Sequence, residues 1–151
     1  MKHSRIDVLT RLLESYEKNH QNPINEAIHI IAIPLIMFSI LGATAAFDIF
    51  LEYVLVGVVL FYYVKLSKTA ALLMLVWLLI YLGLVALLKP YIFEISLLLF
   101  GLGWILQFLG HFIEGKKPSF LEDLRYFLIG PLFVAQKLIS KFGIKVFTDN
   151  G

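Results

Sequence analysis

Three histidines stand in polar settings beside long apolar runs, and they are the residues from which chemistry can be built. His20 lies in the segment Tyr16 to Pro34, YEKNHQNPINEAIHIIAIP; His29 lies further along the same segment, and His111 lies in the distant stretch WILQFLGHFIE. Glu26 precedes His29 by three positions and Glu114 follows His111 by three, so each carboxylate shares a helix face with its imidazole. Glu-x-x-His is the inward-facing unit of di-iron carboxylate bundles. A His-rich set with open positions suits iron or zinc, and two histidines with one carboxylate form an arrangement that activates oxygen. Asn25, Gln107 and Tyr16 are the neighbours placed to hold the imidazole tautomers from behind. The bland reading stands beside this one: a histidine at a membrane boundary often anchors or caps a helix. Gln107 reads equally as an interhelical hydrogen-bonding group, and Tyr16 and Trp104 as interfacial rings.

The elements that must position these residues are membrane helices. Of 151 residues 60% are apolar and the mean hydropathy is +0.84, well above the roughly 45–50% apolar content of soluble domains. The expected fold is all-α: one polytopic membrane domain, 1–151, with four transmembrane helices and amphipathic interfacial helices at both ends. With no cysteine, disulfides, thiolate ligands and cysteine nucleophiles are excluded, so a metal must be held by His and carboxylates. Lys and Arg exceed Asp and Glu by only 13 to 11, and much of the excess sits in short loops beside apolar runs. It reports membrane orientation and implies no nucleic acid partner; membrane lipids are the expected surroundings. The first apolar run follows a long charged stretch, so no cleavable signal peptide is expected.

In chain order, residues 1–22 read as an amphipathic helix with a capping box at Ser4 and Asp7. Ile6, Leu9, Leu13 and Tyr16 form its apolar stripe and His20 falls on the next step. Asn22-Pro23 ends that helix and caps the next. The spans are expected over 23–47, 49–64, 69–88 and 91–113, with Pro34 as a possible kink point in the first and Gly101 and Gly103 allowing close approach in the fourth. Residues 119–145 read as interfacial or re-entrant helices: Ser119 and Glu122 form a second capping box, Gly130-Pro131 breaks the run, and Lys137, Lys141 and Lys145 follow at four-residue intervals. The loops richest in Lys and Arg are the N-terminal segment, the Lys65–Lys68 turn and the chain after Glu114. The positive-inside rule then puts both termini in the cytoplasm, the membrane being the inner membrane in a bacterium or the endoplasmic reticulum in a eukaryote.

This topology predicts a convergence. His20 precedes span one, His29 lies about 10 Å into it, and His111 lies about 5 Å from the end of span four, by the helical rise. All three share one depth at the cytoplasmic boundary. On an unbroken helix nine positions would set His20 and His29 on opposite sides, so the Asn22-Pro23 corner is the device that turns them toward one point.

The pattern Tyr16-x3-His20-x-Asn22-x2-Asn25-x3-His29 with Pro34 downstream, followed by Trp104-x2-Gln107-x2-Gly110-His111, Glu114, Pro118 and Pro131, resembles the family of membrane 2-hydroxy fatty acid dioxygenases. The likeness runs from about Tyr16 to Val134. It implies an iron(II)- and O2-dependent α-oxidation in which a 2-hydroxy fatty acid loses its carboxyl carbon, with Fe2+ carried by His20, His29 and His111. His3 lies outside the motif, so Glu114, and after it Glu26, stands as the further ligand. The acyl tail is expected between spans one and four or under the C-terminal segment, and Lys116 and Lys117 stand where they could steer the carboxylate. The alternative from another class is a non-enzymatic membrane-organising or lipid-binding protein whose histidines only cap helices.

Overall fold

The computed structural model describes residues 5–115 and 126–147. His3, the Ser4 cap, Lys116, Lys117, Pro118 and the Ser119–Glu122 capping box lie outside the described residues. The described chain is helical and contains no strand: α1 (Arg5–Lys18), α2 (Pro23–Phe47), α3 (Ile49–Leu66), α4 (Lys68–Leu87), a 3-10 turn (Lys89–Tyr91), α5 (Ile92–Glu114) and α6 (Ile129–Ser140). Four of its helical stretches, α2, α3, α4 and the turn with α5, are long and apolar enough to cross a membrane.

The boundaries follow from capping chemistry. Asn22 begins α2: its side-chain oxygen accepts from the backbone N–H of Ile24 at 2.9 Å and of Asn25 at 3.4 Å, and Pro23 fills the first position, where no N–H is needed. Asp48 alone separates α2 from α3. Its backbone N–H closes α2 on Thr44 while its carboxylate accepts from Phe50 N at 2.8 Å to open α3. Ser67 repeats the device between α3 and α4, with its N–H on Tyr63 O and its hydroxyl accepting from Ala70 N. Single-residue hinges of this kind force neighbouring helices antiparallel, so the start of α2, the end of α3, the start of α4 and the end of α5 gather at one end of the bundle.

The dominant pairing is α2 with α5. It is close because glycines face the partner: a Cβ on Gly103 would lie 2.5 Å from Ile36 Cγ1, and one on Gly42 would lie 2.3 Å from Ser96 Oγ. Gly103 thus has the role expected of it, whereas Gly101 faces open space. The hydrogen bond from Tyr81 OH to Pro34 O, 2.8 Å, ties α4 to the middle of α2. The flanks away from these contacts expose Phe61, Leu72, Leu79, Leu98 and Ile105, the surface a lipid environment covers at no cost.

At the gathered end lies the larger core, built from Leu9, Leu13 and Tyr16 of α1, Tyr63 of α3, Met74 of α4, and Leu132 and Phe133 of α6. The twelve residues of α6 reach about 18 Å, too short to cross a bilayer. Its first half is buried on every side, from Ile129 to Ala135, against α1, α2 and α4. Gly130-Pro131 falls in its first turn, where proline is tolerated. Tyr63 OH donates to Leu128 O at 2.7 Å, and Ser15 Oγ pairs with Tyr126 OH at 2.8 Å, so the start of α6 is held by two helices.

Gly103→Leu should wedge α2 from α5 and destabilise the fold by about 1–3 kcal/mol, whereas Gly101→Leu should leave it unchanged. Thermal unfolding of the two variants in detergent checks the contrast.

Candidate metal centre

The corner between α1 and α2 decides where the imidazoles go. α1 stops at Lys18 and the chain turns through Asn19, with Asn19 N on Tyr16 O and His20 N on Glu17 O, before Asn22 starts α2. His20 therefore folds back beneath α1, its ring stacked on Tyr16 at 4.1 Å between centroids and 14° between planes. His29, one turn beyond Asn25 on α2, meets it edge-on at 4.4 Å. His111 arrives from the last turn of α5, with its ring 5.5 Å from His29 and 6.4 Å from His20. Three imidazoles from two distant parts of the chain bound one small volume. His20 is 7% exposed and His29 2%.

Two of these rings have their tautomer set by the main chain. His20 Nδ1 lies 2.8 Å from Tyr16 O and His29 Nδ1 lies 2.9 Å from Asn25 O, each the carbonyl four residues back. A carbonyl oxygen only accepts, so Nδ1 carries the proton in both rings, and in the neutral imidazole Nε2 carries the lone pair. Backing of this kind orients ligating histidines in metal proteins. Tyr16 and Asn25, two of the neighbours singled out from the sequence, meet the imidazoles through their main-chain carbonyls.

Asn25 and Glu114 build the frame around the rings. The Glu114 carboxylate accepts from Gln21 N at 3.2 Å, from Asn22 N at 3.1 and 3.3 Å through its two oxygens, and from Asn25 Nδ2 at 2.9 Å. It caps the N-terminus of α2, where a negative charge is favoured by the helix dipole. These hydrogen bonds hold Glu114 at the corner, with its charge near enough to His20 to interact with it. Glu26 is drawn elsewhere: Lys137 of α6 pairs with it at 3.4 Å and with Glu17 of α1 at 3.3 Å. Among the described residues no group of three His, Asp or Glu side chains is placed closely enough to hold a metal ion as it stands. What fits iron or zinc is the donor chemistry: converging imidazoles, two of them with a prescribed Nε2 lone pair, in a site without thiolates.

Gly110 and Phe133 belong to the site in ways that spacing alone does not reveal. A Cβ on Gly110 would lie 2.3 Å from Asn25 Oδ1 and 3.0 Å from His29 Cε1, so glycine is what lets α5 approach the ring from behind. Phe133 packs 4.9 Å from Tyr16 and 6.4 Å from His20, with Lys137 Nζ 5.3 Å over its other side. It closes the cluster on the side of α6. The signal for Gly110 was its place beside His111; Phe133 had none, being one of 13 phenylalanines. On the aqueous side a cleft of about 440 Å³, lined by Glu14, Glu17, Lys18, His20, Gln21 and Glu26, leads to His20. Gln107 lies on α5 one turn before His111, toward the membrane interior. Between α2 and α5 themselves the glycine contacts leave no room for an acyl tail, so the first of the two tail positions expected from sequence is closed.

Residues 6–142 match a family model described as 2-hydroxy-palmitic acid dioxygenase Mpo1-like. The chain is 30% identical over 135 residues to the 2-hydroxy-palmitic acid dioxygenase MPO1 of Saccharomyces cerevisiae, an alignment covering 85% of this chain and 78% of that protein. No solved structure matches it significantly.

Gly110→Ala should push Asn25 and His29 from their positions and weaken metal binding by about tenfold or more, the scale of disturbing groups that back a ligand. Titration of the purified variant with Fe(II) or Zn(II), with helicity checked by circular dichroism, measures it.

Proposed function

The chain belongs to the Mpo1-like family of 2-hydroxy-palmitic acid dioxygenases, and on that premise we propose that it is an iron(II)- and O2-dependent enzyme that shortens 2-hydroxy fatty acids by one carbon. The observation that carries this reading is the convergence of His20, His29 and His111, with Nδ1 of the first two on main-chain carbonyls. These three histidines are the residues that would hold the iron. Iron(II) supplies the redox chemistry by which O2 and the 2-hydroxy acid react.

The chain's own residues do the rest. The carbonyls of Tyr16 and Asn25 keep Nδ1 protonated, so Nε2 is the atom presented toward the centre. Tyr16 and Phe133 cover His20 with rings and limit water at the cluster, and Asn25 and Glu114 hold the corner that sets the distance between His20 and His29. Glu114 and Glu26 act here as positioning residues, through α2 and through Lys137. The acyl chain stays in the hydrocarbon: His111 stands in the last turn of α5, at the membrane boundary, and exposed flank residues such as Phe108 run from it along the helix into the span. The Lys and Arg content of the loops, read by the positive-inside rule, supports a cytoplasmic position for the cluster and for both ends of the chain.

Protein purified with iron should consume O2 on addition of 2-hydroxyhexadecanoate and release pentadecanoate. His20→Ala, His29→Ala and His111→Ala should each lose iron and turnover together. If iron-loaded protein neither binds nor turns over 2-hydroxy acids of any chain length, the enzymatic reading fails; if His111→Ala alone keeps full iron, the shared centre does.

A further inference from the structure

Among the α5 side-chain atoms shielded from solvent, Trp104 Nε1 and Gln107 Oε1 have no hydrogen-bond partner among the described residues; Ser96 Oγ, near the other end of the helix, is a third. An unpaired polar group is costly in a hydrocarbon setting and is rare in folded proteins, so each such pair calls for a partner. Trp104, Gln107 and His111 follow one another at spacings of three and four, which places them along one flank of α5. That flank borders the line of Gly103 and Gly110 that meets α2, with Gln107 nearest to it and Trp104 furthest round toward the outer surface. A helical side chain leans toward the N-terminal turn, so the His111 ring covers the turn that carries Gln107. The strip is therefore continuous with the histidine cluster and runs from it into the membrane. Phe100 and Phe108 border Trp104 with ring centroids 6.2 and 5.8 Å away, so the surroundings of the two polar atoms are aromatic and apolar.

The chemistry of the two atoms is complementary to one group. An indole N–H only donates, and an amide oxygen only accepts. In the amide orientation that the structure gives Gln107, a carboxylate would satisfy Trp104 and be repelled by the amide oxygen; a methylene would satisfy neither. A hydroxyl accepts from the first and donates to the second. We propose that Trp104 and Gln107 form a hydroxyl-recognition subsite that selects 2-hydroxy acids over unsubstituted fatty acids. This rests on the reading of the chain as a 2-hydroxy acid enzyme. The carboxyl end then points to the histidines, the 2-hydroxyl lies against Trp104 and Gln107, and the chain continues along the lipid-facing flank of α5. Both residues are specificity determinants rather than metal ligands.

The test compares binding of 2-hydroxyhexadecanoate and hexadecanoate to detergent-purified full-length protein, with iron content measured on the same samples. Sites built to hydrogen-bond a hydroxyl discriminate strongly against the analogue lacking it, so wild type should prefer the 2-hydroxy acid by about tenfold or more. Trp104→Phe keeps a ring and removes the N–H; Gln107→Leu keeps the volume and removes the acceptor, with Gln107→Met in its place if that variant does not purify. Each should bring the preference to within about threefold, since one hydrogen bond of the pair is lost, at unchanged iron content. If both variants keep the wild-type preference, or wild type turns over the 2-hydroxy acid without preferring it in binding, the subsite is wrong and the enzymatic reading survives. If wild type binds neither acid, the enzymatic reading itself fails and the subsite falls with it.

Discussion

The Glu114 carboxylate on the N-terminus of α2 is the contact on which the rest of the arrangement depends. It joins the last turn of α5 to the corner before α2 by accepting from the backbone N–H groups of Gln21 and Asn22, the latter shared between its two oxygens, and to the first turn of α2 by accepting from Asn25 Nδ2. Those backbone donors belong to the corner that carries the chain from His20 toward His29. The same carboxylate therefore fixes the turn between two imidazoles and the approach of the helix that carries the third. Charge-assisted bonds to unsatisfied helix N–H groups are stronger than neutral ones, and the dipole of α2 adds to them.

Close approach is the second constraint, and it is met by omission. In a membrane, helices gain little from hiding apolar surface from one another, so their association relies on packing at short range. Gly42, Gly103 and Gly110 are the positions where α2 and α5 come together most tightly. At the level of Gly110 that packing becomes part of the site, because the backbone of α5 rests against Asn25 and His29. The same tightness excludes a lipid chain from between the two helices and leaves the outer flank of α5 as the surface beside the histidines that hydrocarbon reaches.

α6 completes the gathered end. A twelve-residue helix cannot span a bilayer, yet its first seven residues are buried as deeply as any in the bundle. It is a plug that covers the histidine cluster with Phe133 and is tied at its end by Lys137 to α1 and α2. The ion pairs of Lys137 with Glu17 and Glu26 form across helices at this end of the bundle, while the flanks remain apolar.

Much of this was legible in the residues. Apolar runs of spanning length, separated by the Phe47–Glu52 and Lys65–Lys68 turns and by Lys89-Pro90, point to four long helices because backbone groups in hydrocarbon must be satisfied within the helix. That single residues, Asp48 and Ser67, make two of the joints emerges only in the structure. Asn22-Pro23 marks the corner by capping chemistry that is local, and the depth of His20, His29 and His111 follows from the helical rise alone. What only the tertiary structure decided was the use of each neighbour. Glu114 stands three residues from His111 in sequence, but its hydrogen bonds to Gln21 and Asn22 at the α2 terminus join positions more than ninety residues apart, which spacing does not show. Phe133 and the burial of α6 left no periodic signal, since a helix enclosed on all sides has no polar face. Gly103 and Gly101 look alike in sequence, and only the rotation of α5 against α2 separates the one that must be small from the one that faces open space. Local chemistry and helical rise are properties of the chain; which face meets which neighbour is a property of the packed bundle.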